Sequence, residues 1–290
     1  MVAPIPDGLA NLLQFDVLLA DYIHHSPETV RDRKIHSGRV GMRIEILGCS
    51  GSVTPEFNTT SILINNSLLI DAGSAASVLS EDSIAGIRNI FITHSHMDHI
   101  KELPFIVDNL FCRRVNGVTI WGSAETINAL KNHIFNGLIW PEIDALNAEE
   151  GFLKFSAIPE EGFDHGNIRV QAYPVNHIEG SVCCSLTEGG RSVLFSGDTE
   201  YNKSLFDIIQ SFGDRLAALF VEVSFPNSME GLARVSHHLT PELLAKGLDG
   251  IVSSSTKVIA YHIKPKHLDT VVAELSPRVD HIKGGEVFEF

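Results

Sequence analysis

Residues 92–100 read ITHSHMDHI, which places His94, His96, Asp98 and His99 within six positions at the end of an apolar, β-branched run. A divalent cation needs such a set: several neutral nitrogen or anionic oxygen donors at about 2.0–2.2 Å. A loop leaving a strand can turn successive side chains toward different centres. Working outward, other polar residues stand where short apolar runs stop. Asp71 ends SLLID, His177 follows VQAYPVN, Asp198 follows SVLFSG, Glu222 lies near the end of LAALFVE and His262 ends KVIAYH. Strands that point the same way carry such residues to one rim, the usual place for a site in layered α/β folds. His94, His96, Asp98, His99, His177, Asp198 and His262 outnumber the three protein ligands of a single catalytic zinc, so the set suits two metals.

The runs RIEILGC, TSILI, SLLIDAG, NIFITH and GVTIWG are separated by Gly, Asp and Asn and read as strands. Helical patterns are expected at about 99–110, 123–135, 202–212, 240–247 and 264–275. Strands mixed with helices over this length predict an α/β fold with two mixed sheets and outer helices. Residues 41–290 are expected to form that domain. Residues 1–40 read as an N-terminal helix and linker extension, since LANLLQFDVLLADYI is apolar at helical intervals and the stretch after it is polar and turn-prone. This extension is a candidate cover for an apolar patch, a lid, or the contact of a homodimer.

Composition narrows the partners. The chain has 290 residues, with 36 acidic against 22 basic side chains, a formal charge of −14, 14 histidines and 4 cysteines. An extended nucleic acid calls for clustered Lys and Arg to displace counterions, so none is expected as a partner. The longest apolar runs fall well short of the ~20 residues a membrane span needs. Asp7, Asp16 and Asp21 interrupt any signal-peptide core, and Cys49, Cys112, Cys183 and Cys184 lack CxxC spacing. They read as reduced thiols in a cytoplasmic protein, which leaves a metal site to nitrogen and oxygen donors.

HSHMDH resembles the HxHxDH signature of the metallo-β-lactamase superfamily, and Asp71, His177, Asp198 and His262 follow the order of its remaining motifs. NHIFNGLIWPEI (132–143), SGDTEYN (196–202), VEVSFPNS (221–228), HLTPELL (238–244) and YHIKP (261–265) together are similar to class II cyclic-nucleotide phosphodiesterases, over most of residues 42–290. The resemblance implies a four-layer αβ/βα sandwich and a binuclear centre, with zinc as the default metal and manganese or iron compatible. His94, His96 and His177 would hold one ion, Asp98, His99 and His262 the other, and Asp198 would bridge them. Asp71 would orient the site loop. Glu222 and His238, the latter in an HxT context, would form a pair outside the metal shell. A carboxylate inside an apolar strand is costly unless paired, and an alkoxide leaving group needs a proton donor.

Asp98, Asp71, Glu222 and His238 are therefore the expected catalytic residues. The expected substrate is a small 3′,5′-cyclic nucleotide, cAMP or cGMP, attacked at phosphorus by a metal-bridging hydroxide and released as a nucleoside 5′-monophosphate. One departure stands out: KELPFIVDNL follows the signature where the family has small residues. Other readings are an RNA-processing or other phosphodiesterase, a glyoxalase- or lactonase-type hydrolase, and a metal-stabilised cyclic-nucleotide sensor without activity. Phe57, Phe105, Trp121, Trp140 and Phe225 read as core before they read as substrate contacts, and Asn58 and Thr59 are weak candidates. His24, His25, His36, His133, His165, His237, His267 and His281 lack comparable context and default to surface or structural roles.

Overall fold

Strand β1 (Arg43–Gly48) opens a sheet in which β2 (Ser61–Ile64), β3 (Leu68–Ile70), β4 (Asn89–Phe91), β5 (Val118–Gly122) and β6 (Leu153–Ala157) follow side by side. A second sheet holds β7 (Phe163–His165), β8 (Ile168–Pro174), β9 (Val182–Glu188), β10 (Arg191–Phe195), β11 (Leu216–Glu222), β12 (Lys257–Tyr261) and β13 (Val279–His281) in the same sequential order. The last strand, β14 (Val287–Glu289), returns to the first sheet and pairs antiparallel with β1. The computed structural model describes residues 41–143 and 151–290. The helix and linker expected within residues 1–40 lie outside the described residues.

Both sheets switch pairing partway across. β1, β2 and β3 are antiparallel, then β3 to β6 are parallel. β8, β9 and β10 are antiparallel, then β10 to β13 are parallel. Within each sheet the parallel strands therefore end on a common edge, and their C-terminal loops can share a site.

Side-chain alternation builds the layers. Leu68 and Ile70 face the space between the sheets while Leu69 faces outward, and Phe220 faces inward between Leu219 and Val221. Strands covered on both faces read as unbroken apolar runs, which is why LAALFVE shows no polar alternation. The inner layer joins Ile44, Ile62 and Phe91 to Cys184, Phe195, Phe220 and Tyr261. Leu103, Ile106, Leu110, Ile127 and Leu130 cover the first sheet, and Leu205, Ile209, Leu243, Leu244 and Val271 cover the second. This is the four-layer αβ/βα sandwich expected from the sequence.

The helices Ala124–His133, Lys203–Phe212 and Pro241–Leu248 stand close to their expected places. Ser123, Asn202 and Thr240 cap them by accepting from backbone N–H groups of the first turn. Two expectations need correction. The helix expected at about 99–110 is broken into Met97–Ile100 and Leu103–Cys112. At the break, Ala72 takes the backbone bonds: its N–H donates to the His99 carbonyl at 2.6 Å, and its carbonyl accepts from Glu102 N–H at 2.9 Å. The last expected helix begins only at Leu268, after a tight turn Pro265–His267. Among the described residues no helix is long and apolar enough to cross a membrane.

Candidate metal centre

The first sheet delivers its donors from one loop. Thr93, immediately before His94, donates from its backbone N–H to Asp71 Oδ1 at 2.8 Å and from its hydroxyl to Asp71 Oδ2 at 2.8 Å. Asp71 lies just past β3 with φ 56°, and its Oδ2 accepts from His99 Nδ1 at 2.7 Å. That bond fixes the His99 tautomer and leaves Nε2 to face the centre. Asp71 thus touches the loop and His99. Gly73 allows the loop to sit close, because a Cβ there would collide with the Asp98 carbonyl and with Thr59 Oγ1.

The second sheet supplies single residues from separate strand ends. Asp198, three residues past β10, is buried, and its Oδ2 lies 3.3 Å from His262 Nε2, 3.4 Å from His99 Nε2, 3.7 Å from His94 Nε2 and 3.8 Å from His177 Nε2. His262 follows β12 directly and stands 3.3 Å from Asp98 Oδ2. His177 Nε2 is 2.9 Å from His96 Nδ1. Among the described residues His94, His96 and His177 form one donor group and Asp98, His99, Asp198 and His262 another, the ligand atoms of each within 4.8 Å of one another; His238 meets the same criterion with His177 and Asp198, and with Glu222 and His262.

The protonation states follow from burial and charge. Burial, aided by the neighbouring His99, holds His94 well below the usual imidazole range, and burial likewise lowers His96 and His177. A neutral imidazole is the form that binds a metal. His99 goes the other way: burial opposes its charge, but Asp198 and Asp71 prevail and raise it. Asp198 and Asp98 are held low against the effect of burial by the imidazoles around them, His262 and His99 foremost.

His94 Nε2 and Asp198 Oδ1 are buried without a hydrogen-bond partner. An unpaired buried polar atom costs about 1–3 kcal/mol, a cost that a cation between these donors removes. The histidine and aspartate set therefore fits divalent metal.

Beside this cluster, Glu222 ends β11 fully buried and accepts from His238 Nδ1 at 2.8 Å. The backbone N–H of Thr199 also donates to Glu222 Oε1, at 3.1 Å. Burial alone would lower His238, yet the Glu222 carboxylate outweighs it and the imidazole is shifted up. The His238 ring lies 4.9 Å from that of His177 and 5.5 Å from that of His262.

Three supporting groups escaped the sequence reading. Thr93 was hidden in plain view beside the signature. Ser224, two residues past Glu222, places its hydroxyl 3.0 Å from His262 Nδ1 and donates to Glu222 Oε2 at 3.2 Å, so it links a cluster histidine to the Glu222–His238 pair. His237, assigned by default a surface or structural role, accepts through its carbonyl from His177 Nδ1 at 2.9 Å; no sequence signal announces a backbone contact of this kind. Phe105, read as core, is 52% exposed, whereas Phe225 is buried. His165 is structural, bonded to Ser67 and Asn89.

A metallo-β-lactamase-type sandwich with its histidine and aspartate cluster at the strand ends is the class that this fold and site define. The family model for class-II cAMP phosphodiesterases matches residues 57–171, and over that stretch the chain is similar to that class. A probable 3′,5′-cyclic-nucleotide phosphodiesterase of Yersinia pestis is 27% identical over 271 residues, covering 76% of this chain and 77% of that one. A ribonuclease Z of Pyrococcus abyssi is 34% identical over 113 residues, 36% of each chain. Among solved structures, unliganded yeast PDE1 superposes with a TM-score of 0.74 at 20% identity, over 87% of this chain and all of that one.

Proposed function

We propose that the protein hydrolyses the 3′ phosphoester bond of 3′,5′-cyclic nucleotides at a binuclear centre held by His94, His96 and His177, by Asp98, His99 and His262, and by Asp198 between them. The observation that carries this reading is the Glu222–His238 pair set against the cluster, with 2.8 Å between Oε1 and Nδ1. Thioester or lactone hydrolysis has no evident use for it. Divalent ions bound here supply positive charge to phosphate oxygens and lower the pKa of water toward neutrality.

The chain's own groups do the rest. Glu222 holds Nδ1–H of His238, so the proton for the leaving 3′ oxygen is carried on Nε2. Ser224 ties that carboxylate to His262 and keeps the pair in register with the cluster. Asp71 and Thr93 fix His99 and leave the chemistry to others. Deep burial of Asp198, His99 and His262 excludes water from the inner wall. The net charge of −14 disfavours a long polyanion, so a small phosphodiester drawn by the local field of the centre suits this surface better than RNA.

The ribonuclease Z likeness keeps a nuclease reading in the test. A panel of cyclic AMP, cyclic GMP, bis(p-nitrophenyl) phosphate, a thioester and a precursor tRNA, with and without chelator, separates the readings. Chelator-sensitive release of 5′-monophosphate supports the proposal. Cleavage of the tRNA alone, or tight binding of cyclic nucleotide without turnover, overturns it.

A further inference from the structure

A cleft of about 510 Å³ lies beside the cluster, with His177 in its wall. Asn176, Ile178, Glu179 and Gly180 continue that wall, Ser123 and Glu125 face it from the start of the helix Ala124–His133, and His237 closes it. The lining beyond His177 mixes the apolar side chains of Pro174, Val175, Ile178 and Val182 with polar groups, and it carries two carboxylates, Glu125 and Glu179. The two carboxylates repel a phosphate, and the mixed lining favours a neutral group that joins an apolar face to N–H and O–H donors.

His237 is held as deliberately as its neighbour. Its Nδ1 lies 3.0 Å from Glu200 Oε2, and Glu200 is in turn bonded by the Asn176 side-chain amide and donates its own backbone N–H to the Asn176 carbonyl at 2.9 Å. Two consecutive histidines are thus each fixed at Nδ1 by a glutamate. His238 and Glu222 are buried beside the cluster, while His237 lines the cleft with its side chain 45% exposed and its partner Glu200 is 25% exposed. The His237 backbone has φ 56°, unusual for a residue other than glycine, and this conformation sends the two rings to different places.

From this geometry we infer that the cleft is the nucleoside subsite and that His237 is its anchoring hydrogen-bond group. The phosphodiester of the bound substrate lies at the cluster, while its ribose and base extend past His177 into the cleft. There the side chain of His237 and the carboxylates of Glu125 and Glu179 meet the ribose hydroxyl and the donor edge of the base. This rests on the cyclic-nucleotide reading given above.

The test uses His237→Asn, because asparagine tolerates positive φ and keeps the carbonyl that holds His177, together with the surface variant Glu179→Ala. Cyclic AMP carries a nucleoside and bis(p-nitrophenyl) phosphate does not. The ratio of kcat/KM for the first to that for the second is expected to fall about tenfold in His237→Asn and severalfold in Glu179→Ala, chiefly through KM. Adenosine binding, followed by calorimetry on the metal-loaded protein, is expected to weaken in parallel. An unchanged ratio in both variants, or an equal fall for both substrates, overturns the subsite while leaving the activity intact. Adenosine binding that depends on His237, in a protein that turns over no cyclic nucleotide, keeps the subsite and removes the proposed function.

Discussion

The two sheets solve one problem in opposite ways. Both pass from antiparallel to parallel strands, and both send polar residues off the ends of strands. The first sheet concentrates His94, His96, Asp98 and His99 in a single loop, buttressed by Asp71 and Thr93. The second spreads His177, Asp198, Glu222 and His262 over the ends of four strands, tied together by Ser224 and by the His237 carbonyl. A clustered loop can form its local geometry from a few adjacent residues. The dispersed set exists only once β8, β10, β11 and β12 are packed in register, so its integrity reports on the tertiary structure itself.

That contrast can be broken most severely at Asp198, which stands within 3.8 Å of four imidazoles drawn from both sheets. Asp198→Ala is expected to lose bound metal, measured by elemental analysis, and to lower kcat by about 10⁴-fold or more, by analogy with removal of a central catalytic group. Purified Asp198→Ala with full metal content and activity would sink its bridging role. Next in size are His238→Ala and Glu222→Gln. Both are expected to reduce turnover by about 10²–10⁴-fold, the usual contribution of a general acid, with metal content retained. Loss of metal in His238→Ala would make it a ligand instead.

A subtler comparison sets Thr93→Val, behind the loop of the first sheet, against Ser224→Ala, behind the strand ends of the second. Each removes an outer-shell hydrogen-bond partner, and about 10–100-fold in metal affinity is the expected loss, read by competition with a chromogenic chelator. Thr93→Val should weaken His99 through Asp71, and Ser224→Ala should weaken His262. If either variant binds metal as wild type, the corresponding sheet holds its ligands by packing alone. The smallest effect concerns thiols. Burial pushes Cys49 and Cys183 up to about 12 and also raises Cys184; Cys112, at the end of an outer helix, is raised too, by partial burial and the nearby Asp108 and Glu81, but it is the exposed one of the four. A maleimide on the native protein is expected to label Cys112 alone, with little loss of activity, and mass spectrometry counts the adducts; labelling at Cys183 or Cys184 would indicate that the second sheet opens.

Much of this was legible in the sequence because the information is local. Apolar β-branched runs broken by Gly and Asp specify strands, apolar residues at helical intervals mark helices, and ITHSHMDHI gathers four donors in one stretch. The residues Asp71, His177, Asp198 and His262 could be picked out by their place after apolar runs, and their pairing with the loop was supplied by resemblance. What stayed hidden depends on backbone atoms and on meetings across the chain. The helix break at Lys101–Glu102 arises from Ala72, some thirty residues earlier, reaching both His99 and Glu102. Ser224 looked like any serine after a strand, and Phe105 looked like core until its side of the helix proved to face solvent.

By itself, then, the sequence determined the layered α/β fold and the kind of chemistry the histidine and aspartate donors can support, because periodicity and residue type act over short spans of chain. Only the tertiary structure decided which carboxylate meets which imidazole, that His237 and His238 part company at a positive φ, and that an acidic cleft opens beside His177. Those outcomes depend on the register of two sheets against each other, a property that no single segment carries.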